Sequence, residues 1–368
     1  MKTVRRLLYR DIVTSVAFVA AAFLSLFFFI DFVDELEDVG RNGYSTWHAA
    51  LIGLVELPGH AYELMPIAVL IGTIYALARL AQSSEYTILR TGGLGPGRAL
   101  GLLAGLGLLF AAATLLLGDF VVPWSERESV DLRARFKNAG LSIARSGAWL
   151  KERHTNGGLE RSVSVNIGGA APGGTMLRIS IFEFDADGRL LERIVAARAR
   201  ISGQHYWQLE DVTRTHWPVG GDAPIVEERL PRFDWPSALD SGVVAAAVLP
   251  LSTMSTLDLW RYSTHLTDNE QAAQRHQIQF WKKALYPFAC LVMVALALPF
   301  AYLHARTGGI SWKVFGGIML GISFVLLNNV AGHLGLLSDW TPWIVAATPS
   351  VLFLLMSLAA FWWLVRYR

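Results

Sequence analysis

Six long apolar runs dominate the pattern of hydrophobic and polar positions along the chain. A helix that crosses the hydrocarbon core of a bilayer needs about 20 apolar residues, and each run has roughly that length. The pattern therefore predicts six transmembrane helices, three on each side of a long polar middle section. The predicted spans cover residues 12–30, 62–80, 99–118, 284–303, 314–337 and 341–365.

The polar middle section, from about residue 124 to residue 254, has the alternating pattern of half-buried β-strands. Its clearest strand is 176–185 (MLRISIFEFD), which ends in the turn sequence DADG, and the glycine-rich stretch 168–174 predicts a loop. Short strands at this spacing favour a sandwich or jellyroll, although a generic soluble cap gives the same pattern. The other predicted strands are 147–152, 161–167, 190–201, 206–215 and 225–235.

The predicted fold is therefore an α-helical polytopic membrane protein with six transmembrane helices and an inserted all-β, jellyroll-like domain. Residues 1–123 hold the first three spans and a short cytoplasmic helix near 82–92. Residues 124–254 form the β domain, 255–283 form connecting helices, and 284–368 hold the last three spans.

Charge in the short loops predicts the orientation, because lysine and arginine collect on the cytoplasmic side of a membrane. If every predicted span crosses, the basic residues outside the spans lie on one side, and the acidic loop after the first span lies on the other. Both termini are then cytoplasmic and the β domain is periplasmic. The basic residues are Lys2, Arg5, Arg6, Arg10, Arg79, Arg90, Arg98, Arg306, Lys313, Arg366 and Arg368. The acidic ones are Asp31, Asp34, Glu35, Glu37 and Asp38.

Composition agrees with a membrane protein. Hydrophobic residues make up 53% of the 368 positions, charged residues 17%, and the mean hydropathy is +0.39. A net charge of +2 gives no reason to expect a nucleic-acid partner. The single cysteine, Cys290, excludes an intramolecular disulfide, so packing alone must stabilise the β domain.

No sequence motif points to catalysis. The glycine-rich segment 93–98 lacks the Lys-Ser/Thr ending of a phosphate-binding P-loop, and neither a zinc-protease helix nor a nucleophile elbow is present. The sequence therefore predicts no enzymatic activity and no cofactor for this chain. Asn328, Asn329 and His333 lie within or at the end of the fifth predicted span. They are either functional groups or interhelical hydrogen-bonding groups, and the sequence does not decide between the two.

The most informative segment is the loop between the second and third spans. Ser83 or Ser84 is expected to cap a short helix, Glu85 suits its positive N-terminus, and Gly92 is expected to end it. The loop is expected to expose Tyr86, Ile88 and Leu89, which favours docking of a cytosolic partner. An interfacial helix resting on lipid is the alternative. The candidate docking residues are Ser84, Glu85, Tyr86, Ile88, Leu89 and Arg90.

Together with other segments, this loop resembles the LptF/LptG permease family of lipopolysaccharide export, over the whole chain. The loop sequence 80–85 (LAQSSE) and Phe32-Val33-Asp34 are similar to the LptG branch in particular. The remaining matching segments are Tyr9-Arg10-Asp11, Val122-Pro123 and 275–283.

The resemblance implies a permease subunit of an ABC exporter in the inner membrane. The short helix would dock on the ATPase LptB, which binds the ATP. The active unit would pair this chain with LptF and two LptB subunits, and the β domain would pass lipopolysaccharide to a bridge of LptC and LptA. The lipid cavity would be gated by the first and fifth spans. The first-span residues expected to face the acyl chains are Phe27, Phe28, Ile30 and Phe32.

One feature departs from the family. Family members carry lysines that flank the Phe-Val-Asp segment and face lipopolysaccharide phosphates, whereas this chain has Asp31, Glu37 and Asp38 there. Carboxylates repel phosphate unless a divalent ion intervenes. The acidic residues Asp31 and Asp34 are therefore candidates for lipid contact only on that condition. The basic candidates for phosphate, with a solvated surface as the alternative, are Arg133, Arg135 and Lys137.

Two competing functions have distinct signatures. A membrane-anchored enzyme or ligand sensor would carry an acid–base or metal cluster in the β domain, or a cytosolic signalling domain. A lipoprotein-releasing permease would be expected to have four spans and a larger exported domain. Counting the spans separates this last class from a six-span lipopolysaccharide permease.

Overall fold

The computed structural model describes most of the chain. The described residues are 2–40, 44–136, 147–156, 159–171, 175–202, 206–218, 224–237, 239, 243–244, 247, 251–268, 273–302 and 309–366. They form two compact units. The helical unit comprises Met1–Glu37, Ala49–Glu126 and Gln277–Arg368, and the β unit comprises Asp38–His48 and Arg127–His276.

Six helices are long and apolar enough to cross a membrane, so the predicted number of spans is confirmed. The helices extend beyond the predicted spans because hydropathy detects only the apolar part of each one. In chain order the helices are α1 (Lys2–Leu36), α2 (Thr46–Gln82), α3 (Glu85–Thr91), α4 (Pro96–Leu116), α5 (Val122–Phe136), α6 (Thr256–Asp268), α7 (Gln274–Tyr302), α8 (Ile310–Leu337) and α9 (Pro342–Arg366). A π-helical turn, Leu117–Val121, joins α4 to α5, and a 3-10 turn, Leu251–Thr253, precedes α6.

The helical unit packs through small residues as well as large apolar ones. A Cβ atom added at Gly72 of α2 would lie 2.6 Å from the backbone of Val16 in α1, so only glycine permits this approach. Gly118, in the π-helical turn, similarly receives the ring of Tyr62. Close backbone contact of this kind is how helices associate in a bilayer, where lipid is as apolar as leucine.

The β unit contains one antiparallel sheet in which each strand pairs with the next one along the chain. Its strands are β1 (Ala148–Asn156), β2 (Leu159–Ala171), β3 (Thr175–Phe184), β4 (Leu190–Ser202), β5 (Tyr206–His216) and β6 (Val226–Pro236). All six correspond to predicted strands, and the inserted β domain is confirmed. The predicted turn after β3 also forms, because the Asp185 carboxylate accepts hydrogen bonds from the backbone N–H groups of Asp187 and Arg189.

Two expectations were wrong. The segment that begins near residue 124, predicted as part of the β domain, is helical as far as Phe136. The glycine-rich stretch is strand rather than loop as far as Ala171, because Gly169, Ala170 and Ala171 pair with β3. Glycine is tolerated there because the backbone ladder, not side-chain packing, holds the end of β2.

The sheet is folded over on itself. Following the strand pairing from β3 to β6, the residue in line with Glu183 is Val226. Val226 is nine residues from Trp235 along β6. On a flat sheet that offset amounts to about 30 Å along the strand alone. The indole Nε1 of Trp235 nevertheless donates a hydrogen bond to Glu183 at 3.3 Å. The two halves of the long strands therefore face each other, which gives a sandwich from a single sheet.

The fold line crosses five strands at aligned positions. In each pair of neighbouring strands from β2 to β6, one residue pair is missing from the regular ladder. The register is the same before and after the missing pair. The skipped positions are Gly168, Arg178, Ala197, Asp211 and Pro231. Arg178 and Asp211 have positive φ values of 53° and 54°, which non-glycine residues seldom adopt.

The fold line changes the burial pattern along β3, β4 and β5. Buried positions that flank it are three residues apart instead of two, as in Met176 and Ile179 of β3 and Leu209 and Val212 of β5. Because one residue lies at the bend, the apolar side chains of both halves point into the same interior. Trp207 and Trp235 meet edge to face there, with ring centroids 5.6 Å apart.

Substitutions at Asp211 test this fold line. Asp211→Gly should keep or raise the melting temperature of the purified protein, because glycine adopts positive φ without strain. Asp211→Val should lower it, at a cost of about 1–3 kcal/mol, because a β-branched residue is strained there. Thr213→Val, two residues away at ordinary backbone angles, is the control. Equal stability of the two Asp211 variants would contradict the strained geometry.

Candidate functional site

The short predicted helix exists as α3, and its end is fixed by a left-handed glycine. Gly93 has φ 101°, its N–H donates to the Arg90 carbonyl, and the N–H of Leu94 donates to the Leu89 carbonyl. This is the Schellman arrangement, in which the residue after the C-cap takes the left-handed conformation. Gly92 is the C-cap, so the helix ends where it was predicted to end, and Gly93 after it supplies the left-handed conformation.

The start of α3 differs from the expected serine cap. Ser84 occupies the N-cap position with φ 61°, and its side chain makes no capping hydrogen bond. The hydroxyl of Ser83 instead donates to the Leu80 carbonyl of α2. The left-handed Ser84 separates α3 from α2, so the two helices are not continuous.

The inner face of α3 carries an aromatic contact. Tyr86 is only 4% exposed and meets Tyr302, the last described residue of α7, edge to face with ring centroids 5.4 Å apart. Tyr86 was expected to be exposed, and that expectation was wrong. A tyrosine here anchors the helix by burying its ring, and this burial raises the pKa of the hydroxyl above its ordinary value.

The outer face of α3 is polar except at one position. Ser84 and Glu85 are exposed, Leu89 is half-buried, and Ile88 is 67% exposed. Arg90 is also exposed but lies on the side of Tyr86, four residues away. Burying such an isoleucine against a partner would contribute about 1.5–3 kcal/mol. Ile88 and Glu85 are three residues apart and so share one face of the helix. We call the surface formed by Ser84, Glu85 and Ile88 the docking face.

Asp31, near the C-terminal end of α1, bonds the first span to α2. The Asp31 carboxylate lies 2.8 Å from Nε2 of His60, and the ring of Phe27 stacks on the same histidine with centroids 4.7 Å apart. The acidic residue that departs from the family pattern thus has a protein partner. His60 was missed by the sequence analysis, because nothing in the spacing of the histidines links it to Asp31.

The predicted acyl-facing residues of α1 do not share one face. Phe27 stacks on His60, Phe28 packs against Gly53, and Phe32 stacks on Phe28, whereas Ile30 is exposed. Asp34 is exposed as well. Apolar positions recur every three or four residues on the open side of the helix. We call four of these residues the open stripe: Phe18, Leu26, Phe29 and Val33.

The near end of α1 is fixed to its neighbours by polar bonds. Asp11 forms an ion pair with Arg79 of α2 at 3.0 Å, and the Tyr9 hydroxyl donates to the Leu102 carbonyl of α4 at 2.8 Å. Few residues in the apolar stretch between these bonds and Asp31 are buried. The helix is therefore attached to α2 and α4 on one side and open on the other.

The basic candidates lie near the end of α5. Arg133 is half-buried and Arg135 is exposed, whereas Lys137 lies outside the described residues. Residues two apart on a helix do not face the same direction, so Arg133 and Arg135 do not form one cluster. Their roles in phosphate binding stay predictions for each residue separately.

The polar residues of the fifth predicted span have contacts through the main chain. Lys282 of α7 donates through Nζ to the Asn328 backbone carbonyl of α8 at 2.8 Å, and Nδ1 of His333 lies 2.9 Å from the Asn329 backbone carbonyl one turn back. The first contact joins two helices without the Asn328 side chain, so the roles of the three side chains stay predictions. Among the described residues, no group of three His, Cys, Asp or Glu is arranged to hold a metal ion.

These features define a class of protein: a multi-pass membrane protein with three apolar helices, an inserted folded β-sheet and three further apolar helices. Residues 6–366 match the model of the lipopolysaccharide export system permease LptF/LptG family. The chain belongs to this family.

Two relatives support the predicted branch. The chain is 27% identical over 364 residues to the lipopolysaccharide export system permease protein LptG of Escherichia coli strain K12, covering 98% of this chain and 97% of that protein. It is 25% identical over 371 residues to the protein of the same name from Haemophilus influenzae, covering 100% and 99%. The resemblance to the LptG branch is confirmed.

Substitution of Asp31 tests its bond to His60. Asp31→Ala should lower the melting temperature in detergent by about 1–4 °C, because a half-buried, charge-assisted hydrogen bond contributes about 1 kcal/mol. Asp34→Ala, which removes an exposed carboxylate three residues away, is the matched control. Adding Asp31→Ala to His60→Ala should cost little beyond His60→Ala alone, because the partner of the carboxylate is already gone. Equal losses from Asp31→Ala and Asp34→Ala would contradict the bond.

Proposed function

We propose that this chain is the permease subunit of an ABC exporter that extracts lipopolysaccharide from the inner membrane. It pairs with an LptF-like permease, and two LptB-like ATPase subunits bind and hydrolyse the ATP. The lipid passes to a periplasmic bridge of LptC- and LptA-like proteins towards the outer membrane. Both termini lie in the cytoplasm and the β domain lies in the periplasm. The observation that carries the proposal is α3, a short separate helix with an outward apolar residue.

The docking face supports a protein partner rather than lipid. An interfacial helix presents a broad apolar side to the bilayer, but α3 turns Tyr86 inward and leaves Ile88 flanked by polar residues. One apolar side chain within a polar surface is typical of a centre of protein docking. The acidic Glu85 adds charge complementarity for a basic groove.

The open stripe of α1 supports a lipid pathway. Phe18, Leu26, Phe29 and Val33 offer an apolar surface on the open side of a helix whose other side contacts α2. Each buried methylene of an acyl chain contributes about 0.8 kcal/mol, so removing a lipid with many acyl carbons from a bilayer needs an external source of energy. An ATPase docked on α3 supplies that energy in the proposed assembly.

The competing functions receive less support. Six membrane-length helices exceed the four expected of a lipoprotein-releasing permease. Three buried or half-buried carboxylates of the β-sheet have partners in the β unit. Glu192 pairs with Arg214, Glu183 pairs with Arg161, and Glu152 accepts a hydrogen bond from Ser237. Such pairing is what a structural core requires, and it leaves no preferred acid–base pair for a sensor or an enzyme among the residues that the structure describes.

Removing the apolar centre of the docking face should release the ATPase. Ile88→Ala loses about 2 kcal/mol of burial, which is roughly 30-fold in affinity, and Glu85→Ala should weaken the association as well. The measurement is the amount of ATPase that co-purifies with the tagged permease. Ile225→Ala is the control, because Ile225 is similarly exposed, at 60%, but belongs to the β unit. ATPase at wild-type levels with either α3 variant would sink the docking assignment.

A photo-crosslinking amino acid in the open stripe should capture the transported lipid. Placed at Phe29, it should give lipopolysaccharide adducts in cells, because Phe29 is 63% exposed on the open side of α1. Placed at Leu108 of α4, which is similarly exposed on a different helix, it should give phospholipid adducts. Identical adducts at both positions would count against a lipid pathway along α1.

A further inference from the structure

Tyr302 lies where α7 ends, beside the short helix. It is 6% exposed, and its ring contacts Tyr86 edge to face at 5.4 Å between centroids. The guanidinium carbon of Arg90 lies over the same ring, 5.6 Å from its centroid. Aromatic pairs and cation–π contacts of this geometry are attractive beyond the area they bury.

One ring of α7 therefore contacts both turns of α3. Tyr86 and Arg90 are four residues apart, so they lie one above the other on the same side of the helix. A helix of seven residues that is contacted on both of its turns cannot tilt or slide without moving the ring. Leu89 of α3 and Leu94, which follows the helix, pack in the same apolar core.

The covalent connections of α3 transmit motion less directly. Ser84 at its start and Gly93 just after its end both have positive φ, so neither α2 nor α4 continues into α3 as a rigid rod. Tyr302, in contrast, belongs to a helix whose side chains reach the centre of the unit, where Cys290 and Met293 are fully buried. α7 continues as one helix through Pro299 to Tyr302.

We infer that Tyr302 is the positioning residue that transmits displacement of α3 to α7, the fourth span. Tyr86 and Arg90 both contact its ring, and the docking face on the other side of α3 receives the partner. This inference rests on the proposed function, because it needs an ATPase that moves α3. It adds a residue outside the docking helix, in a helix that no sequence pattern connects with the loop.

Hydrogen exchange on the assembled complex tests the link without any lipid. Binding of the ATPase to the full-length permease should slow exchange in α3 and also in residues 296–302 of α7, by about fivefold or more. In Tyr302→Leu, which keeps an apolar side chain but removes the ring, α3 should still be protected and residues 296–302 should not. Tyr302→Phe keeps the ring and should behave as wild type.

The controls separate the possible failures. Tyr75→Leu removes a tyrosine of α2, away from α3. Arg90→Gln removes the cation over the Tyr302 ring and leaves every residue of α7 unchanged. Arg90→Gln should weaken the protection of 296–302, and Tyr75→Leu should not. Protection of α3 without protection of 296–302 in the wild type, or full protection in Tyr302→Leu, would overturn the inference and leave the proposed function standing. Absence of any ATPase binding by the wild type would overturn both.

A second readout measures coupling directly. In vesicles containing the whole exporter, Tyr302→Leu should lower the lipopolysaccharide released per ATP hydrolysed by about tenfold, with bound ATPase and ATP hydrolysis within about twofold of wild type. A residue with only a structural role would instead lower all three quantities together, and that result would contradict the inference.

Discussion

The hydrocarbon core of a bilayer offers no hydrogen-bonding partner to a peptide group, and the architecture of this chain follows from that constraint. Each apolar segment satisfies its own backbone bonds as a helix, and every described strand lies in one inserted segment. Departures from regular helix occur where another helix covers them. The π-helical turn after α4 is one example, because the ring of Tyr62 packs against its Gly118.

The β unit meets a different constraint, since a chain with one cysteine cannot cross-link this inserted domain with an intramolecular disulfide. Bending one long sheet along an aligned row of residues lets both of its halves bury their apolar faces in a common interior. Two left-handed residues, Arg178 and Asp211, carry the strain of that bend. The buried pair Trp207 and Trp235 packs in this interior, in the half that holds the start of β5 and the end of β6.

Much of this could be predicted from the sequence, because hydropathy, strand alternation and turn residues are local signals. The bend in the sheet was also visible in principle: the three-residue spacing of Met176 and Ile179 breaks the two-residue period of a flat strand. The open stripe could have been found in the same way from the period of α1, which would have selected Phe29 rather than Phe27. The contacts of Asp31 with His60 and of Tyr86 with Tyr302 could not be predicted. The first pair is 29 positions apart and the second 216, and only tertiary packing brings them together.

The two regions that support the proposed function share a common design, a helix fixed on one side and open on the other. The first span is bonded through Asp11 and Asp31 and presents its open stripe, while α3 is anchored through Tyr86 and presents Ile88. In the proposed exporter, the first open surface meets lipid and the second meets the ATPase. The buried ring of Tyr302 then links the ATPase side to the interior of the helical unit.

The most direct test of the central claim is lipopolysaccharide release from vesicles that contain this chain, the partner permease and the ATPase, measured by transfer to a soluble bridge protein. The account predicts release that requires both ATP and this chain, with little transfer of phospholipid. Equal release when this chain is omitted, or release that does not depend on ATP, would contradict it.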